Sequence, residues 1–68
     1  MSWHSIPPNT RRTYNQILTP KQLDILRHRS NGHSWLTIAL ALDLDEATVR
    51  GHYRRAINRI RRHRNESS

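Results

Sequence analysis

Between Trp35 and Val49 the chain spaces its apolar residues so that two short helices have to cross. With Trp35 as the first position, Ile38, Leu42, Leu44 and Val49 fall at the fourth, eighth, tenth and fifteenth places, and Ala39 at the fifth. The run Leu36, Ile38, Ala39, Leu40 and Leu42 is apolar almost all round, which predicts a short and mostly buried helix. Ser34 can cap its start, it stops near Asp43, and Asp45 offers a new N-cap side chain a few residues later. Two helices joined so closely must turn sharply. Ala39 lies where they cross, and a small side chain there permits close approach.

The second of these helices is predicted to begin at Glu46 and to continue to about Arg62, because no Pro intervenes and its only Gly is Gly51. At about 100° per residue, Val49, His52, Tyr53, Ala56, Ile57 and Ile60 share one side. Arg50, Arg54, Arg55, Asn58, Arg61 and Arg62 share the other. Such a helix packs by one face and offers cations on the opposite one. Charge is distributed to match: four of the five acids are Asp24, Asp43, Asp45 and Glu46, whereas the stretch from Ala47 to Asn65 carries seven Arg and no acid. Net charge is +7, the pI is about 11.6, and eleven of the twelve basic residues are Arg. The planar fork of Arg pairs with phosphates and with guanine edges, so the expected partner is an acidic polymer.

Upstream, Leu18-Thr19-Pro20-Lys21-Gln22-Leu23 satisfies several helix-start rules together. Thr19 can cap, Pro20 suits the first helical position, Gln22 completes a capping box, and Leu18 with Leu23 forms a hydrophobic staple. This helix carries Leu23 and Leu26 on one face and should end at Asn31-Gly32, where Gly supplies a left-handed residue. Residues 1–17 are expected as an N-terminal arm, mobile or partly ordered. Pro7-Pro8 makes Met1–Asn9 extended or mobile, Thr10–Ile17 is compatible with a short helix or turn, and Trp3 and Ile6 either pack on the body or belong to the tail. Residues 18–64 are the expected domain and 65–68 a tail.

Sixty-eight residues, 34% of them apolar and none Phe, allow one modest core and three or four short helices, a size that favours a binding module over an enzyme. Cysteine is absent, which excludes disulfides and thiolate zinc sites. The first thirty residues hold no run like a signal peptide, and nothing approaches the roughly 20 apolar residues of a membrane span. The expected location is therefore cytoplasmic, in a bacterial cell or phage-infected host and associated with the nucleoid. Five histidines raise a metal site, but His28 and His33 straddle the Gly32 turn without a carboxylate to complete it. No nucleophile, base and orienting acid converge in any motif, so neither a cofactor nor catalysis is expected. RNA or nonspecific binding lacks the aromatic stacking platform that single-strand binders use.

The stretch from Leu18 to Arg62 resembles two related families, the LuxR-type regulators and the promoter-reading fourth region of bacterial sigma factors. The residues that carry it are Leu-Thr-Pro-Lys-Gln-Leu-Asp-Ile-Leu from Leu18, Gly32-His33-Ser34, Ile38-Ala39, Leu42-Asp43-Leu44, and Glu46-Ala47-Thr48-Val49-Arg50. They look like the families' "Gly-x-Ser", "Ile-Ala", "Leu-Gly-Ile-Ser" and "Thr-Val-Lys". The resemblance covers roughly two thirds of the chain. Two departures stand out: Asp43 replaces the usual Gly, and Gly51 lies on the last helix where a side chain is common. Asp tolerates a left-handed turn, at some cost relative to Gly. Gly51 removes a potential base contact and costs up to about 1 kcal/mol of helix propensity. Either it lets the helix approach a groove closely, or it only weakens specificity.

What the resemblance implies is an all-α fold of three to four helices, a helix-turn-helix with a long arginine-rich C-terminal recognition helix, acting as a sequence-specific double-stranded DNA-binding transcriptional regulator. By the same resemblance, Glu46, Ala47, Thr48, Arg50, Gly51 and Arg54 would enter the major groove. Spacing agrees, because Arg50 and Arg54 are one turn apart on the cationic face. Arg55, Arg61, Arg62 and Arg64 would follow the phosphates. Ser34, Trp35 and Thr37 would offer amides and hydroxyls to a phosphate, although Ser34 reads equally well as a cap alone. A second class of function is a module that contacts RNA polymerase or another regulator, or an accessory factor in recombination. So small a reading head makes few contacts, which favours a homodimer, tandem sites or a holding complex. Ile57 and Ile60 are candidates for a dimer seam, though they complete the monomer's own core more simply.

Overall fold

The structure is a computed structural model that describes residues 2–67, with side-chain surroundings for residues 2–66. Met1 and Ser68, assigned above to the arm and the tail, lie outside the described residues. A 3-10 turn at Trp3–Ser5 precedes four α-helices: α1 (Pro8–Ile17), α2 (Pro20–Ser30), α3 (Trp35–Leu42) and α4 (Glu46–Ser67). Among the described residues there is no strand, and no helix is long and apolar enough to cross a membrane.

Helix starts follow the local chemistry. Thr19 Oγ1 accepts from the Gln22 amide (3.2 Å), and Gln22 Oε1 accepts from the Thr19 amide (3.1 Å), closing the capping box with Pro20 at the first helical position. Ser34 Oγ accepts from the Thr37 amide (3.1 Å) to cap α3. For α4 the expectation changes in detail. The first helical bond runs from Val49 N–H to the Asp45 carbonyl (3.0 Å), and among the described residues no side-chain hydrogen bond involves the Asp45 carboxylate. Asp45 therefore caps through its backbone, and its charge, with that of Glu46, complements the positive end of the helix dipole.

Two turns of the same construction set the path between α2 and α4. After α2, His33 N–H donates to the His28 carbonyl and Gly32 N–H to that of Arg29, with Gly32 at φ +87. After α3, Leu44 N–H donates to the Ala39 carbonyl (2.9 Å) and Asp43 N–H to that of Leu40 (3.4 Å), with Asp43 at φ 56. Both are Schellman closures, which need one left-handed residue. At the second, Asp stands in for Gly.

Two apolar clusters hold the helices. Ile25, Ile38, Ala39 and Val49 join α2, α3 and α4, with Trp35, Leu42 and Leu44 around them. Trp3, Leu18, Leu26, Ala56 and Ile60 form the other, flanked by Ile6, Tyr14, Ile17, Leu23 and Ile57. Tyr53 packs against both. Ile25, Ile38 and Val49 are fully buried, each worth about 1.5–3 kcal/mol relative to exposure. Ile60 is buried and Ile57 packs on the same cluster, so both side chains take part in the monomer's own core.

Two expectations are refined here. The N-terminal segment is ordered against the body: Trp3 is only 7% exposed, its N–H donates to Asn31 Oδ1 (2.8 Å), and Arg27 lies over its ring. Pro8 sits at the start of α1, where its missing N–H costs nothing, and Tyr14 and Ile17 turn one face of that helix inward. Helix α3 is less buried than its composition implies. Ile38 and Ala39 are inside, but Leu36 and Leu40 are 57% and 75% exposed, because α2 and α4 cover only one side of the helix.

Candidate nucleic-acid interface

Helix α4 lays Val49, Ala56 and Ile60 into the core and leaves its arginines outside. Glu46, Ala47, Thr48, Arg50 and Arg54 are all exposed in its first turns, and Arg55, Asn58, Arg61 and Arg62 continue outward. The expected cationic face is in fact two rows. Arg50, Arg54 and Arg61 line a groove of about 330 Å³ with Trp35, Tyr53 and Asn58, on the side toward α3. Arg55, Arg59 and Arg62 line a second groove of about 320 Å³ with Gln22 and Asn58, on the side toward α2. At about 100° per residue the centres of the two rows are separated by roughly a third of the helix circumference, with Asn58 between them.

These charges are not cancelled among the described residues. Among the described residues the one ion pair joins Asp24 and Arg27 on the surface of α2 at 4.0 Å, and no α4 guanidinium pairs with a carboxylate. The rows therefore keep their attraction for an anionic polymer. Gly51 falls between the two rows, on the same side of the helix as Asn58, and a Cβ built there would meet nothing within 4 Å. The protein's own packing gives no reason for glycine at this position.

The start of α3 is arranged differently from the simple expectation. Ser34 Oγ donates to Thr37 Oγ1 (2.9 Å) as well as capping the Thr37 amide, so these hydroxyls serve one another first. The Trp35 and Leu36 amides remain first-turn donors without an intrahelical carbonyl. The Trp35 indole turns toward α4, where it meets the Tyr53 ring edge-on at 5.1 Å and 72°.

Three side-chain roles were not visible in the sequence pattern. Arg29 stacks on the Trp35 ring, its guanidinium carbon 4.2 Å from the centroid, while Arg29 Nη1 donates to the His33 carbonyl (2.8 Å). Arg59 donates from Nε to the Ile17 carbonyl (2.6 Å), fastening α4 to the end of α1. Nothing local marks either arginine, since both contacts exist only once the helices meet. The third role belongs to the Trp35 ring, which also lies 5.9 Å from the Arg50 guanidinium carbon. The His28 and His33 rings do come together, Nδ1 to Nδ1 at 3.1 Å, one nitrogen donating and the other accepting. Among the described residues no third His or acid joins them as a metal-binding group.

A family model described as "Bacterial regulatory proteins, luxR family" matches residues 16–66. No curated protein and no solved structure matches the chain at a comparable level. The matched span contains α2 and α3 whole and nearly all of α4, with the crossing at Ala39, the left-handed turn at Asp43 and the arginine rows of α4. The chain belongs to the LuxR family of bacterial regulatory proteins, and residues 16–66 are its helix-turn-helix DNA-binding domain.

Proposed function

We propose that this domain reads a specific sequence of duplex DNA by placing the first two turns of α4 in the major groove, as part of a small transcriptional regulator of a bacterial or phage-infected cell. Glu46, Ala47, Thr48, Arg50, Gly51 and Arg54 face base edges in this reading. Arg55, Arg61 and Arg62 neutralise phosphates to either side, and the amides of Trp35 and Leu36, with Ser34 and Thr37 around them, approach one further phosphate. The observation that carries the proposal is the state of α4: its apolar stripe is buried, and its guanidiniums are exposed without carboxylate partners among the described residues. The second row, toward α2, supplies the phosphate contacts of Arg55 and Arg62 beside the base-reading Arg50 and Arg54 of the first.

The test is a selection of bound sequences from random duplex DNA, followed by affinity measurement across salt concentration. A preferred site should emerge, and log K should fall against log salt by about 0.9 per phosphate contacted. Symmetry in the recovered site would mean that two copies bind together. Recovery of no preferred sequence would reject specific reading.

One observation favours a second role alongside the first. Leu36 and Leu40 lie one turn apart and exposed on the outer face of α3, away from the core. An apolar pair of this kind suits contact with protein, whether RNA polymerase, another regulator or a second copy.

A further inference from the structure

We propose that Trp35 is a positioning residue for sequence reading: its indole face orients Arg50, so that preference among DNA sequences depends on a ring that contacts no base. This rests on α4 being the reading helix. Three side chains from the two neighbouring helices meet at the ring: Arg29 of α2 stacks on it at 4.2 Å, Tyr53 of α4 abuts it edge-on at 5.1 Å, and Arg50 of α4 reaches it at 5.9 Å. The indole is itself held. Its helix start is capped by Ser34, Tyr53 packs against both cores, and Arg29 is tied to the His33 carbonyl at 2.8 Å.

Arg50 is otherwise a long, exposed side chain without a carboxylate partner among the described residues. Such a chain loses much rotamer freedom when its fork engages a base edge. A guanidinium already held 5.9 Å from an indole centroid, the most favourable aromatic partner for a cation, loses less. Arg54, one turn further on, has no such support among the described ring contacts. Two guanidiniums share one ring with no acid paired to either, so the tier holds uncompensated positive charge on the side of α3 that adjoins the first arginine row. A purely structural role for Trp35 would involve the core cluster it packs against and Tyr53 alone. The contact with Arg50 lies outside the core and adds nothing to it.

The experiment uses the full chain with Trp35→Leu, Trp35→Phe, Arg50→Ala and the double variant Trp35→Leu/Arg50→Ala. In the free protein, the Arg50 side-chain proton resonances should carry a ring-current shift that Trp35→Leu abolishes. Competition between the selected duplex and random-sequence duplex at fixed salt should show Trp35→Leu losing about two- to fivefold in preference, with Trp35→Phe between it and the parent. Any loss of affinity for random duplex should be smaller than the loss for the selected duplex. In the Arg50→Ala background, Trp35→Leu should cost no further preference. Equal losses on both duplexes, or a further loss of preference without Arg50, would overturn the proposal. A parent protein that prefers no sequence would instead reject α4 as the reading helix, while leaving the ring-current shift in place. If Trp35→Leu fails to give a cooperative melt, the same cycle with Trp35→Phe decides.

Discussion

The two apolar clusters support different halves of α4, and they are built from different kinds of information. Around Ile25, Ile38, Ala39 and Val49, side chains close in sequence lock α3 against the first turns of α4, the part proposed to face DNA. Around Leu18, Leu26, Ala56 and Ile60, the later half of α4 is held by residues as remote as Trp3 and Tyr14. Tyr53 touches both. The comparison shows how a short chain separates two demands, with one cluster setting the angle of the reading head and the other bracing the rod behind it.

The sharpest way to break the first cluster is Ile38→Ala. Truncating a fully buried side chain at the crossing should cost about 2–5 kcal/mol in denaturant unfolding, and specific binding should fall with the folded fraction. Trp3→Ala should separate the clusters. Trp3 sits at the chain's edge, where the turn and α1 can open locally, so the loss should be about 1–3 kcal/mol. Amide exchange should accelerate through residues 3–17 while α3 stays protected. Equal acceleration in α3 would mean that the two clusters form one cooperative unit.

Smaller effects separate fold from reading within α4 and its turn. Gly51→Ala should stabilise the protein by up to about 1 kcal/mol, since the new methyl meets no atom of the chain. If α4 lies close in a groove, the same change should weaken specific binding despite the gain in stability. Asp43→Gly should add about 0.5–1 kcal/mol by relieving the left-handed backbone at φ 56, with no change in sequence preference. A loss of stability there would show that the Asp43 side chain contributes to the turn.

Much of this arrangement is legible in the sequence. Thr19-Pro20-Gln22, Gly32, Ser34 and the apolar period of α4 each act within a few residues, so local rules find them. Residues that act through tertiary contact escape such rules. Trp3 carries no periodic signal, because its burial depends on α1 and α2 arriving around it. Leu36 and Leu40 were expected inside, since composition describes a helix all round while neighbours cover only one side. The stacking of Arg29 on Trp35 crosses a turn, and the bond from Arg59 to Ile17 spans 42 residues. The cations of α4 divide into two rows through their register on the helix, one toward α2 and the other toward α3.

If α4 reads bases with its first turns and holds phosphates with the remainder, Arg50→Ala and Arg62→Ala must fail in different ways. On selected and random duplexes across a salt series, Arg50→Ala should lose about 1–3 kcal/mol of discrimination. Arg62→Ala should weaken both duplexes alike and lower the salt slope by about 0.9. Matching losses at the two positions, with preference intact in both, would contradict the account.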